Sequence, residues 1–379
     1  MSRSLRSAFP LAAWLVAALA ACGSDPSGSG GGETDPPPVE MGDGWAVSTP
    51  AAEGMDAARL HALGERIGGG GYGQVTSVLV ARHGRLVWER YAGGWAAERA
   101  HTLQSVSKSV TSLLAGIAAG EGRLSVDSPV AGFFPDYQPI QNLDARKAAM
   151  RVEDLLTMRT GLDWSEAVYE GSPLQQLNNS TGDWVRMVVD WPMREQPGTR
   201  WEYVSGGVIV LGGIIGRAEG ERVDSFAAER LFEPLGMRGY QWYRNPSTGF
   251  PHTGGGLLLR PRDALKIGQL VLDAGRWNGR QIVPAAWIEA STRRIVSFPR
   301  SLGRHRVDYG WLWWIGSLDD PMNPRPEPGD VIVASGSGGQ WIFIVPRYGL
   351  VMIATGGNQD DRWSAAFDFL YTDVLPAVR

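Results

Sequence analysis

The sequence predicts an α+β protein: an antiparallel sheet flanked by helices, with a mostly helical lobe inserted between the two halves of the sheet. Three observations predict it. Val75 to Arg82 and Arg85 to Tyr91 are β-rich runs separated by His83-Gly84, the pattern of a hairpin. Val331 to Ala334, Trp341 to Val345 and Leu350 to Ala354 repeat that texture near the C-terminus, divided by Gly-rich and Pro-Arg-Tyr-Gly turns. Between them, from about 105 to 290, apolar residues recur at helical spacing, interrupted at Gly161, Pro197-Gly198 and Gly254-Gly255-Gly256. Strands at both ends with helices in the middle place a sheet lobe at about 50–104 and 290–379 and a helical lobe at about 105–289. No internal repeat is visible.

Taken in order, Arg3 and Arg6 precede an apolar stretch from about Ala8 to Ala21. It is interrupted by proline and is shorter than the roughly 20 apolar residues a membrane span requires, so residues 1–22 read as a secretory signal. The stretch ends Leu19-Ala20-Ala21-Cys22-Gly23, which resembles a bacterial lipoprotein cleavage box. That resemblance makes Cys22 the lipidated first residue of an exported, envelope-facing protein. An ordinary signal peptide with an incidental cysteine is the alternative. Cys22 is the only cysteine, so no intrachain disulfide forms. Residues 23–43 are rich in Gly, Ser, Pro, Asp and Glu and read as a flexible tether. The folded part, 44–379, is long enough for one large domain or two intimate lobes. A formal net charge of −4 without a basic run excludes the electrostatic footprint of a nucleic-acid partner.

Met55 to Ile67 reads as the first helix. The stretch around which the chain is organised is Gln104-Ser105-Val106-Ser107-Lys108-Ser109-Val110-Thr111. Val106, Val110, Leu113, Leu114 and Ile117 fall at helical spacing and the run stops at Gly120-Glu121-Gly122, so Ser105 sits at a helix start. Lys108 lies one turn on, on the same face. An amine there can hold or accept a proton, and the helix end favours developing negative charge. The chain has three lysines, Lys108, Lys147 and Lys266, although Lys plus Arg total 36. Arginine keeps its proton in a protein whereas a buried lysine can release it. The same residues also fit an N-capping serine followed by a solvated lysine.

Two further stretches carry chemistry. Pro197 to Gly207 leads into an apolar helix, Val208 to Ile215, and spaces Tyr203 and Ser205 so that both side chains can point one way. A tyrosine beside an ammonium loses its proton more easily, which makes Tyr203 a candidate general base; a packing loop tyrosine is the alternative. Ala334-Ser335-Gly336-Ser337-Gly338-Gly339-Gln340-Trp341 is a Gly-rich strand end that can bring backbone N–H groups close to a substrate, or a plain hairpin turn.

Together, Ser-x-x-Lys, Tyr-x-Ser about a hundred residues later and a Gly-rich C-terminal strand resemble the serine β-lactamase and penicillin-binding family. The Tyr-x-Ser form is similar to the branch holding class C β-lactamases, DD-peptidases, family VIII carboxylesterases and 6-aminohexanoate-dimer hydrolases. Asp154 to Leu162, Glu233 to Met237, Gly255 to Asp263 and Trp277 to Pro284 agree with it, so the likeness covers about residues 50 to 375. It implies a β-lactamase/transpeptidase-like fold with Ser105 as acylated nucleophile and Lys108 and Tyr203 sharing the proton work. It also implies an oxyanion hole from the N–H groups of Ser105 and Ser337, each such donor lowering the barrier by about 3 kcal/mol. Holding Lys108 neutral at pH 7 costs roughly 4 kcal/mol, and the lysine and tyrosine titrate as a pair.

Two departures narrow the expectation. Ala334-Ser335-Gly336 stands where β-lactamases of this branch have Lys-Thr-Gly, so the cation for a β-lactam carboxylate is missing. Tyr203-Val204-Ser205 replaces the Tyr-x-Asn of class C enzymes. Both, with Asp163-Trp164, are closer to the esterase and nylon-oligomer relatives. Tyr169 is a candidate substrate contact or a surface loop tyrosine, and Ser205, Gly336 and Ser337 are candidate oxyanion or substrate contacts. His252 is a candidate cleft residue or a structural one. Of the sixteen tryptophans, Trp184, Trp191, Trp201 and Trp341 lie in or beside the motif loops, where they line an apolar cleft or pack the core. The histidines are scattered, His61 and His101 included, and form no metal constellation. The expected function is a lipid-anchored serine hydrolase that cleaves a small ester or amide without cofactor or metal. The alternatives are β-lactam or peptidoglycan-peptide hydrolysis, or a non-catalytic envelope binding protein of the same fold.

Overall fold

The computed structural model describes residues 35–318 and 330–379. Residues 1–34, which include the expected signal segment 1–22 with Cys22 and the first part of the expected tether, lie outside the described residues. From Asp35 onward the chain is seated on the domain, which corrects the tether predicted to run to residue 43. Asp35 accepts from the Trp88 indole N–H at 2.6 Å, and the Val39 carbonyl accepts from Arg262 at 3.0 Å.

The main sheet is built from β1 (Ala46–Val47), β2 (Val75–Arg82), β3 (Arg85–Tyr91), β4 (Val296–Leu302), β5 (His305–Tyr309), β6 (Trp314–Gly316), β7 (Val331–Gly336), β8 (Gln340–Val345) and β9 (Leu350–Gly356). Their order is β1-β3-β2-β9-β8-β7-β6-β5-β4. All neighbours are antiparallel except β1 with β3. β9 runs against β2 in the register Leu350↔Arg82 to Thr355↔Ser77, so the C-terminal strands join the N-terminal hairpin as predicted. β4 to β6 and β1 were not predicted. β4 carries a proline and β6 begins at the end of Gly310-Trp-Leu-Trp-Trp314, which lacks period-two alternation.

β2, β7, β8 and β9 are buried at every residue, the signature of a sheet covered on both faces. Alternation decides what covers each. Ile342 and Ile344 face the helix Pro261–Leu272, where a Cβ on Gly268 would sit 2.8 Å from Ile342. Trp341 and Phe343 face the other way, against Phe367 of the C-terminal helical stretch. That stretch is continuous but changes pitch from 3-10 through α and π back to 3-10 between Asp361 and Ala377.

The helices of the domain include α1 (Ala57–Gly68), α2 (Val106–Gly120), α3 (Trp184–Val189), α4 (Ser205–Glu219) and α5 (Pro261–Leu272), of which α2 and α4 begin at the site. α5 covers the sheet, so the helical lobe ends near Gly256, earlier than the predicted residue 289. The lobe also holds a small sheet in the order His101–Thr102, Leu257–Leu259, Gln241–Trp242. α2 is buried along nearly its whole length and lies between the lobe and the sheet.

Candidate active site

Ser105 caps the N-terminal end of α2 with its backbone, but its side chain makes no capping hydrogen bond. Gln104 before it has φ of 47°, in the left-handed region that a residue with a Cβ adopts only under local constraint. The constraint is visible: Leu103 N–H donates to Leu257 O at 2.8 Å, and Ser107 Oγ donates to Gln104 O at 2.6 Å. This turn leaves the Ser105 hydroxyl half-buried and aimed along the helix.

Lys108 is 2% exposed. Its Nζ donates to Ser105 Oγ at 2.9 Å and to Gly254 O at 2.5 Å, and lies 4.8 Å from the Tyr203 ring centre. The N-capping serine with a solvated lysine does not describe this arrangement. Burial pushes the amine down to about 8, against the upward pull of the Glu166 carboxylate. Lysine scarcity alone, however, does not single out Lys108. Lys147 is equally buried and donates to the carbonyls of Gln141, Val189 and Trp191, and Lys266 pairs with Asp263 at 2.8 Å.

Tyr203 stands two residues before α4 and packs in an aromatic group with Trp201, Tyr309 and Trp314. Tyr309 is fully enclosed and holds its proton far above the ordinary range because burial opposes the phenolate. Neither it nor Trp314 was singled out in the sequence, since they sit in two unpredicted strands, β5 and β6. Ser205, the first residue of α4, is 2% exposed and turns its hydroxyl to Glu166 at 2.8 Å. Glu166 also accepts from Ser205 N–H and Trp164 Nε1, both at 2.6 Å. Sequence reasoning missed Glu166: Asp163, Glu166 and Glu170 share one loop, and nothing in their spacing selects the one that turns inward.

The end of β7 meets the nucleophile segment directly. A Cβ on Gly336 would lie 2.4 Å from Leu103 O and 3.1 Å from the Gln104 Cβ, so only glycine permits this approach. Ser337, the next residue, is exposed, and its carbonyl accepts from Gln340 Nε2 at 3.3 Å. Gln340 also donates to Gly356 O at 2.6 Å, which ties the turn to β9.

His252 lies beside the site through Gly254. Its Nε2 bonds Asn178 Oδ1 at 3.1 Å, and Asn178 Nδ2 donates to the Tyr169 hydroxyl at 3.3 Å. Burial first, then the Lys108 charge, push the imidazole down to about 4, so it is neutral at pH 7. Tyr169 is half-exposed at 52%. The predicted tryptophans divide. Trp201 joins the Tyr203 group, Trp191 donates to Asp163 O at 2.7 Å, and Trp184 is a fully buried core residue edge-on to His252. Trp341 is corrected: strand alternation turns it to the far face of the sheet. There it is 1% exposed, stacks on Phe343 and Trp363 and donates to Trp363 O at 3.0 Å. A separate cavity of about 580 Å³, lined by Tyr137, Arg217, Arg222 and Phe250 among others, opens toward the other end of α4 and contains none of these groups.

Among the described residues no group of three or more His, Cys, Asp or Glu is placed to hold a metal ion. No helix among them is long and apolar enough to cross a membrane.

A helical lobe set on an antiparallel sheet, with Ser-x-x-Lys at the start of α2 and Tyr-x-Ser facing it, defines a β-lactamase-like class of serine folds. A β-lactamase family model matches residues 60–366, and the chain belongs to that family. It is 26% identical over 222 residues to the 6-aminohexanoate-dimer hydrolase of Paenarthrobacter ureafaciens, covering 56% of this chain and 55% of that protein. It is 27% identical over 210 residues to esterase EstB of Burkholderia gladioli, covering 50% and 53%. The chain thus spans about half the length of these curated relatives. Among solved structures, EstCE1, a hydrolase with promiscuous acyltransferase activity, superposes with a TM-score of 0.68 at 18% identity over 85% of this chain and all of that one. At that identity the likeness shows the fold.

Proposed function

We propose that this chain is a serine hydrolase that cleaves a small ester or amide through an acyl-enzyme on Ser105. The observation that carries the reading is the 2.9 Å bond between Ser105 Oγ and the buried Lys108 amine, one turn apart on α2. The Lys108–Tyr203 pair takes the Ser105 proton as Oγ attacks the substrate carbonyl. The backbone N–H groups of Ser105 and Ser337 hold the oxyanion. Collapse breaks the ester or amide bond, and the departing alcohol or amine takes the proton back from the pair. Water then attacks the acyl-enzyme by the same route in reverse, releasing the acid. The names of the relatives, an esterase and a 6-aminohexanoate-dimer hydrolase, support an ester or amide substrate class.

A fluorophosphonate probe tests the nucleophile: labelling of the wild type that disappears in Ser105→Ala is expected. A folded wild type that does not label sinks the reading in favour of a binding protein. p-Nitrophenyl esters compared with small amides sort the substrate class. Ala334 in the position of a carboxylate-binding lysine disfavours β-lactams, so chromogenic cephalosporin turnover matching ester turnover would overturn that part. We infer further that Cys22 carries a lipid that holds the protein at the cell envelope. Membrane association lost in Cys22→Ser is the expected result, and unchanged association counts against the anchor.

A further inference from the structure

Glu166 stands outside the Ser105, Lys108 and Tyr203 set, yet it holds the start of α4, which borders Tyr203 and, through Gly254, Lys108. Its two carboxylate oxygens accept from Ser205 N–H (2.6 Å), Ser205 Oγ–H (2.8 Å) and Trp164 Nε1–H (2.6 Å). Ser205 N–H is one of the orphan donors of α4, and Val204 at the cap position has no side-chain acceptor to offer it. The loop that carries Glu166 is itself seated on the helix start: a Cβ on Gly206 would fall 2.6 Å from the Trp164 ring.

Ser205 passes this grip onward in two directions. Tyr203 lies two residues upstream, on the segment whose end Glu166 holds. The Ser205 carbonyl lies against Gly254, where a Cβ would approach it to 2.9 Å. Gly254 in turn offers the carbonyl that receives Lys108 Nζ at 2.5 Å. All three donors to Glu166 are neutral groups, so its negative charge is not cancelled by a contacting cation. The charge is felt at Lys108, which it pulls toward the ammonium form.

We propose that Glu166 is a positioning residue for the acyl-transfer step. It fixes the Tyr203 end of α4 and the Gly254 carbonyl around Lys108, so that the Lys108–Tyr203 pair is placed to take the Ser105 proton as Oγ attacks the substrate, and its charge bears on the pH at which the pair is free to do so. The groups facing Lys108 from the surrounding elements are Ser105 on its own helix, Tyr203 before α4, His252 beside Gly254, and Tyr309 behind Tyr203. His252 is neutral and Tyr309 keeps its proton, so neither can replace the carboxylate. A helix cap alone would leave the titration of the site unchanged.

The inference rests on the serine hydrolase reading and is tested on the full chain with an ester that the wild type turns over. Glu166→Gln is expected to lower kcat/KM at the wild-type optimum by about 10- to 100-fold. It should also move the acid limb of the pH profile to lower pH, because loss of the negative charge lets the amine shed its proton sooner. Glu166→Asp keeps the charge and should keep the limb while losing rate. Ser205→Ala, which loses one bond but no charge, should lose rate with the limb in place. Because the chain has three lysines, NMR of ¹³Cε-labelled lysine follows the Lys108 titration directly in each variant. A limb and a Lys108 signal that stay put in cooperatively melting Glu166→Gln overturn the inference. Were Glu166→Gln not to fold, an acid limb displaced in both Glu166→Asp and Ser205→Ala overturns it, and an unmoved limb with reduced rate supports it. If the wild type itself neither labels with fluorophosphonate nor turns over an ester, the parent reading fails instead.

Discussion

Gly254 presents its carbonyl oxygen to Nζ of Lys108 at 2.5 Å, so the amine is held by a second partner besides Ser105 Oγ at 2.9 Å. A neutral amine keeps this bond as a donor and still offers its lone pair to the serine proton. A guanidinium can donate but stays charged and has no lone pair to offer, and its planar fork does not reproduce the position of the amine. Lys108→Arg is therefore expected to fold and to lose at least about a thousandfold in kcat/KM. Ester turnover alongside a circular-dichroism melt checks this, and activity within about tenfold of wild type would remove Lys108 from proton transfer.

Burial of Lys108 also sets a pH dependence of activity. The coupled Lys108–Tyr203 pair must accept the Ser105 proton, so kcat/KM should fall as pH drops and the pair becomes fully protonated. With the amine held down at about 8, the acid limb is expected near that pH rather than near 10.5, the ordinary lysine range. His252, held at about 4, contributes no limb between pH 5 and 9. A profile flat from pH 6 to 10 contradicts this picture.

The same burial costs stability. The folded state holds the Lys108 proton less tightly than the unfolded chain, so the unfolded chain binds more protons between pH 8 and 10.5 and stability rises through that window. Lys108→Met removes the cost. At pH 7 it should be inactive yet more stable, by up to about 3 kcal/mol, and its rise in stability from pH 8 to 10.5 should be smaller than that of the wild type. Calorimetry at both pH values tests it, and a variant less stable than wild type at pH 7 refutes it.

Gly336→Ala places a methyl 2.4 Å from the Leu103 carbonyl, a backbone atom that cannot swing aside. The end of β7 must move away from Ser105. A loss of about 1–3 kcal/mol in stability and of about tenfold or more in kcat/KM is expected from urea melts and ester kinetics. A variant with unchanged kinetics would separate β7 from the site.

Trp341→Phe tests the opposite case. It removes the 3.0 Å bond to Trp363 O and leaves a void on the far face of the sheet. Stability should fall by about 1–3 kcal/mol while kcat/KM stays within about threefold across a series of esters. A changed ester preference would return Trp341 to the cleft.

Local signals made the centre of the site legible and left its surroundings dark. Ser105, Lys108 and Tyr203 sit at helix starts marked by spacing and glycine, and such marks are written in a few consecutive residues. The hairpin and the three C-terminal runs were legible because β-rich stretches bounded by turn residues are also local. Glu166, Trp314 and Tyr309 were not, because what makes them part of the site is which way a loop turns and which strand pairs with which. Trp341 misled for the same reason: adjacency to Gly339 and Gln340 says nothing about the face of the strand. The lysine argument was half right. Scarcity marked burial, and burial serves Lys147 as a clasp on three carbonyls as readily as it serves Lys108.

Because Lys108, Lys147 and Lys266 are all withdrawn from solvent, the folded exterior displays its positive charge on guanidinium groups, together with any charge on its few histidines. Amine-directed reagents such as succinimidyl esters find no side-chain target on the native domain, and their uptake would report unfolding. The outer cationic charge also persists far into alkali, so high-pH titration of the amines reads the interior of this molecule.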